Sequence, residues 1–170
     1  PCSVGLQDLN LRPLDPQWMS PRTAKTQTAP VRCDNMLPGR GPGCVFEVIP
    51  ELNYSLSGPY PELAAHIRDA QQSGLPGGSS TRPLHRLTDS DMREKNRNTS
   101  CPSSLTRPPG TDCDEYPFAS TWEGAATGSG GFSRRFIDST QNRLGGSALA
   151  TFYNKNRVIE QDAFTVVITP

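Results

Sequence analysis

Long apolar runs are missing from this 170-residue chain. No stretch approaches the ~18 consecutive apolar residues of a membrane-crossing helix. Apolar residues make up only 34% and aromatics 7%, so any core is modest. An excess of charge is missing too. Seventeen Lys and Arg face seventeen Asp and Glu. That excludes a uniformly basic nucleic-acid coat protein and an acidic disordered tail. Lysine is scarce, with Lys25, Lys95 and Lys155 alone, and histidine is limited to His66 and His85. In excess are glycine and proline, 32 residues together and about 19% of the chain, against roughly 12% in ordinary domains. Their frequency predicts a loop-rich fold of short elements. It excludes a coiled coil, a helical bundle and a helical repeat array.

Fourteen of the seventeen basic residues are arginine. Arginine grips phosphate with a two-pronged fork, whereas lysine acts as a point charge. The basic charge concentrates in two stretches, 82–107 and 134–157, and the neutral total hides them. A solvated Arg-rich surface would show the same pattern.

Five cysteines can reinforce a small core. Cys33 and Cys44 bracket a Gly/Pro-rich loop, and Cys101 and Cys113 bracket another. Loops of that size close with acceptable disulfide geometry. Zinc would require C-x2-4-C pairs and suitably spaced histidines, and neither is present. The expectation is two disulfides and an oxidising, extracellular compartment, with Cys2 the odd thiol. The chain begins at Pro1 without an apolar leader, which reads as a mature or processed product. Two glycosylation sequons, at Asn53 and Asn98, read as chance.

Residues 1–31 show no periodicity and read as an irregular arm, with Leu6, Leu9, Leu11, Leu14 and Trp18 available to drape over a domain formed by 32–170. Strands are expected at 43–49, 52–57, 132–137 and 164–169. Residues 61–73 are the clearest helix: Pro61 suits the first helical position, Leu63, Ile67 and Ala70 form a stripe, and Gly74 ends it. A short helix is expected within 84–97 and another at 147–154. Strands and helices do not alternate regularly, so the fold class is α+β.

The chemistry concentrates in Cys113-Asp114-Glu115-Tyr116-Pro117-Phe118-Ala119-Ser120-Thr121-Trp122-Glu123-Gly124. Its three carboxylates suit phosphodiester hydrolysis, in which such groups hold a hard cation or take a proton from water. On composition alone, a surface acidic turn tied down by Cys113 is the better explanation of the run. The run CDEYPFASTWEGA resembles the signature of the NucA/NucB deoxyribonucleases, particularly secreted actinobacterial members. Asn142-Arg143-Leu144-Gly145-Gly146-Ser147 resembles the family's Asn-containing segment, and PELAAHIRDAQ resembles its helix. The resemblance spans roughly 32–169.

That resemblance implies a small mixed sheet with a ββα-metal nuclease core, loop-rich and disulfide-stabilised. It implies one divalent cation, Mg²⁺ or Mn²⁺, and DNA as substrate, bound through its backbone. Asp114 takes the place of the histidine base used by related enzymes; no histidine follows Arg86. Glu115 or Glu123, with Asn142, would hold the metal, and Gln141 would support it. Arg143, Arg134 and Arg135 would clamp phosphate. Asn142 also suits a helix cap. His66, beside Leu63 and Ile67, reads as a histidine at the core edge rather than a catalytic one. His85 lies in a basic loop within reach of phosphate, and Trp122 suits either base stacking or packing. The expected protein is a secreted, monomeric, metal-dependent endonuclease with little sequence preference and no membrane attachment. RNA cleavage, a toxin role, or a non-catalytic extracellular binding module are the alternatives.

Overall fold

The computed structural model describes residues 9–11, 22–24 and 30–170. Cys2, Leu6, Leu14 and Trp18 lie outside the described residues. The chain divides into two compact units, Pro1–Val48 and Ile49–Pro170. The Cys33–Cys44 hairpin, expected to open the nuclease domain, therefore groups with the N-terminal residues.

The N-terminal unit contains two antiparallel pairs. Strand β1 (Leu9–Leu11) pairs with β2 (Arg22–Ala24), and β3 (Val31–Asp34) pairs with β4 (Gly43–Phe46). Cys33 and Cys44 face each other in that second register and are joined by a disulfide.

The second unit runs β5 (Glu51–Ser55), α1 (Pro61–Gln72), β6 (Leu84–His85), α2 (Ser90–Ser100), β7 (Thr111–Tyr116), β8 (Ser133–Asp138), α3 (Ser139–Lys155) and β9 (Ala163–Thr169). Strand β9 is the centre of a mixed three-stranded sheet, parallel to β5 and antiparallel to β6. Strands β7 and β8 form a separate antiparallel ribbon that leads directly into α3. This β–β–α order lies within an α+β fold, as the sequence predicts.

The core is built from the periodicities visible in the sequence. Helix α1 buries Leu63, Ala64, Ile67 and Ala70, spaced three and four apart. They join Leu52, Tyr54, Leu84, Tyr116, Ile137, Leu149, Phe152, Phe164 and Val166 in one cluster. Helix α3 differs from the expectation of a short helix at 147–154. It starts at Ser139, and Asp138 caps it by accepting from the amides of Thr140 and Gln141. Asn142 is consequently inside the first turn and does not cap the helix. Gly145 and Gly146 look like breakers in sequence, but Gly145 is where α3 meets α1. A Cβ there would lie 1.9 Å from a Leu63 methyl carbon. The Tyr54 hydroxyl donates to the Gly145 carbonyl at 2.8 Å. Packing supplies what propensity withholds.

Cys101, at the end of α2, is bridged to Cys113 on β7. The bridge closes a loop whose ends are 12 residues apart, so its loss is expected to cost about 2–4 kcal/mol. Urea denaturation of a Cys101→Ser/Cys113→Ser double variant checks this. A lower midpoint is the expected form, with a slope that rises as the unfolded chain, freed of its cross-link, exposes more surface.

Candidate active site

Side chains on a strand alternate between faces, and directly opposed residues of an antiparallel pair share one. Asp114 is opposite Arg135, Glu115 opposite Arg134, and Tyr116 opposite Ser133. Asp112, Asp114, Tyr116, Ser133 and Arg135 thus share the face met by α1. Cys113, Glu115 and Arg134 share the other, met by the end of α2 through the disulfide and a bond from Arg134 Nη1 to the Ser100 carbonyl at 3.0 Å.

Asp114 is the centre of the first face. It is 6% exposed, and its Oδ2 lies 2.6 Å from His66 Nδ1. His66 is fully buried, and its Nε2 lies 2.9 Å from Ser133 Oγ. An ionised carboxylate can only accept, so Nδ1 carries the proton in that state and the serine hydroxyl serves Nε2. Burial pushes the Asp114 carboxyl above its usual range, and the hydrogen bond and charge of His66 oppose that shift. His66 does lie at the core edge, as the sequence suggested. It is also the direct partner of the acid singled out as a base.

Two more polar residues of α1 face the same way. Glu62 and His66 are four apart, and His66 and Asp69 three apart, so they form one stripe. Glu62 Oε2 accepts from the Asp138 amide at 2.8 Å. Glu62 Oε1 accepts from Gln141 Nε2 at 3.2 Å, and Gln141 Oε1 accepts from the Glu62 amide at 2.8 Å. Asp69 accepts from Arg135 Nη2 at 3.0 Å and from Arg68. The stripe ties α1 to both ribbon strands and to the start of α3. Asn142 lies on the α3 stripe that continues through Gly145, Leu149 and Phe152 and is half-buried.

The other acidic candidates are elsewhere. Glu115 points to the opposite face, its Oε2 3.7 Å from Cys101 Sγ. Burial, with Asp114 adjacent in the chain, pushes its pKa up to about 7. Glu123 is taken by His85: one oxygen accepts from the His85 amide at 2.8 Å and the other lies 2.7 Å from His85 Nδ1. The structure therefore does not gather Glu115, Glu123 and Asn142 around one point. Strand alternation separates the first from Asn142, and a histidine occupies the second.

Among the described residues, no cluster of three or more His, Cys, Asp or Glu side chains is set to hold an ion. A hydrated Mg²⁺-type ion needs only one or two protein oxygens. Glu62, exposed and hydrogen-bonded to Gln141, offers one such oxygen on the α1 stripe that carries His66.

The arginines are also redistributed. Arg134 is spent on a carbonyl and Arg135 on Asp69. Arg143 is the most open of the three, its side chain 75% exposed and 3.3 Å from Asp112. Trp122 donates to Glu160 at 2.7 Å. Around Asp114 the structure adds Ser133 and Glu62, which sequence reasoning did not single out, and His66, which it weighed and set aside. The signal for two of them was present in the spacing of Glu62 and His66 on the best-predicted helix.

A family model described as deoxyribonuclease NucA/NucB matches residues 74–167, more than half of the chain. No curated protein matches it. The match includes the acidic run, the β7–β8 ribbon and all of α3, while α1, which supplies His66 and Glu62, precedes it. With a ribbon-and-helix site bearing a buried acid and more than half its length matched, the chain belongs to the NucA/NucB deoxyribonuclease family.

Proposed function

We propose that this protein is a secreted, divalent-metal-dependent endonuclease that hydrolyses DNA with little sequence preference. The Asp114–His66–Ser133 chain, in which α1 brings a histidine onto two residues of the family-matched ribbon, is the observation that carries the reading. Asp114 would take the proton from the attacking water. Its raised pKa brings its basicity closer to neutral pH, which favours proton transfer. His66 holds one carboxylate oxygen of Asp114, and Ser133 fixes the ring.

Glu62 and Asn142 would hold the cation, with Gln141 steadying Glu62; of the two glutamates proposed from sequence, Glu115 lies on the opposite face of the ribbon and Glu123 is bound to His85. A bound Mg²⁺ or Mn²⁺ supplies Lewis-acid polarisation of the phosphate and charge stabilisation at the leaving oxygen. Glu115 remains on the far face as a buried acid with a near-neutral pKa. Backbone recognition through arginine carries no direct base information, in keeping with low sequence preference. Two disulfides support the secreted location. No helix among the described residues is long and apolar enough to cross a membrane.

Plasmid nicking with and without EDTA tests the activity. Nicking that needs added Mg²⁺ or Mn²⁺ is the expected result; full activity in EDTA rejects the metal, and none under any condition rejects the nuclease. Within that assay, Glu62→Gln and Asn142→Ala are expected to raise the Mg²⁺ concentration for half-maximal rate about 10–100-fold, while Glu123→Gln leaves it nearly unchanged.

A further inference from the structure

The arginines expected to clamp phosphate are largely committed, but two others keep an unmatched donor. Arg86 and Arg93 each bury a guanidinium Nε with no hydrogen-bond partner. Neither guanidinium is in an ion pair among the described residues. Buried donors are rarely left unmatched, and a charged one costs more than a neutral one. Two such donors on neighbouring cations call for an anion.

Their setting holds them together. Arg86 leaves β6 and stacks on Tyr153 of α3, its Cζ 3.9 Å from the ring centroid. Its Nη1 is anchored to the Leu87 and Ser120 carbonyls at 3.1 and 3.2 Å. Tyr153 in turn meets Ser120 Oγ at 3.0 Å. Arg93 projects from the first turns of α2. Both guanidiniums oppose the rise in pKa that burial imposes on Tyr153, and Arg93 weakens the hold of Arg86 on its own proton. The nearby carboxylate is Glu160, which accepts from the Thr88 amide and hydroxyl and from Trp122 instead.

We propose that Arg86 and Arg93 form a phosphate subsite, separate from the Asp114 centre, in which Tyr153 and two carbonyls fix one guanidinium and α2 presents the other. Arginine forks match phosphate oxygens in pairs. The phosphate is either a backbone phosphodiester of bound DNA or free inorganic phosphate. The first source rests on the nuclease reading; the second does not.

The test uses the full chain in EDTA. In one arm, thermal unfolding is followed with inorganic phosphate and with chloride at matched ionic strength. In the other, binding of a short labelled duplex is measured across a salt series. Arg93→Gln is the main variant, since its guanidinium makes no hydrogen bond among the described residues; Arg86→Lys, which keeps charge and loses the fork, is the second. A phosphate-specific rise in Tm abolished by Arg93→Gln supports the subsite. If the variant also lowers the salt slope of duplex binding by about one, with or without the Tm effect, the source is a backbone phosphate. If the Tm rise is lost but the slope is unchanged, the source is free phosphate. No phosphate-specific rise in the wild type, together with duplex binding and salt slope unchanged in Arg93→Gln, overturns the proposal. A wild type that binds no duplex counts against the nuclease reading and leaves the phosphate arm to decide alone.

Discussion

Replacing Asp114 by Asn is expected to lower kcat by roughly 10²–10⁴-fold, the usual cost of removing a general base, while fold and DNA affinity persist. The substitution keeps size and shape. An amide oxygen can still accept from His66 Nδ1 in place of the 2.6 Å contact made by the carboxylate. It also takes a negative charge out of a site where burial disfavours it, so stability is expected to stay level or rise. Single-turnover cleavage of a supercoiled plasmid, read beside a thermal melt, separates the two effects. If Asp114 only served the turn beside Cys113, Asn would substitute with little loss. Near-normal cleavage by a folded Asp114→Asn protein would therefore remove Asp114 from the mechanism.

The second large effect is expected at His66. Its ring is fully enclosed and hydrogen-bonded at both nitrogens. His66→Ala leaves the buried Asp114 without its partner and opens a cavity beneath α1. Leaving a buried carboxylate without its hydrogen-bond donor costs about 3–5 kcal/mol, a large share of the ~5–15 kcal/mol that holds a domain together. Urea denaturation should show that loss directly. A purely structural histidine would change the folded fraction and leave the rate per folded molecule alone. A histidine that positions Asp114 would change both. His66→Asn discriminates, because its amide nitrogen can replace the Nδ1 donor but cannot reach Ser133. It is expected to recover much of the rate lost in His66→Ala while recovering less of the stability. Equal rates per folded molecule in wild type, Ala and Asn variants would reject the positioning role.

Local information carried much of the framework. The apolar stripe and Pro61 defined α1 within a residue, because a helix start and a 3.6-residue period are set by neighbours in sequence. The two disulfide pairings followed from short loops between cysteines, a constraint that also acts locally. The acidic run and the Asn-Arg block pointed to the family through residues fixed in order. Helix α3 was less legible, since Gly145 lowers helix propensity and only the close approach of Leu63 makes it the residue that fits there.

What the sequence by itself determined was therefore the fold class, the cross-links, the family and Asp114 as the acid to examine. The tertiary structure decided which groups surround that acid. Glu115 is adjacent to Asp114 in sequence but on the other face of the ribbon, and Glu123 is held by His85. His66 is 48 residues from Asp114 and Ser133 is 67 from His66, yet they meet within hydrogen-bond distance. The physical reason is that strand alternation divides near neighbours between two faces, whereas packing α1 across the ribbon joins residues far apart in the chain. The first effect is readable only once the strand's register is known, and the second only once the helix is placed.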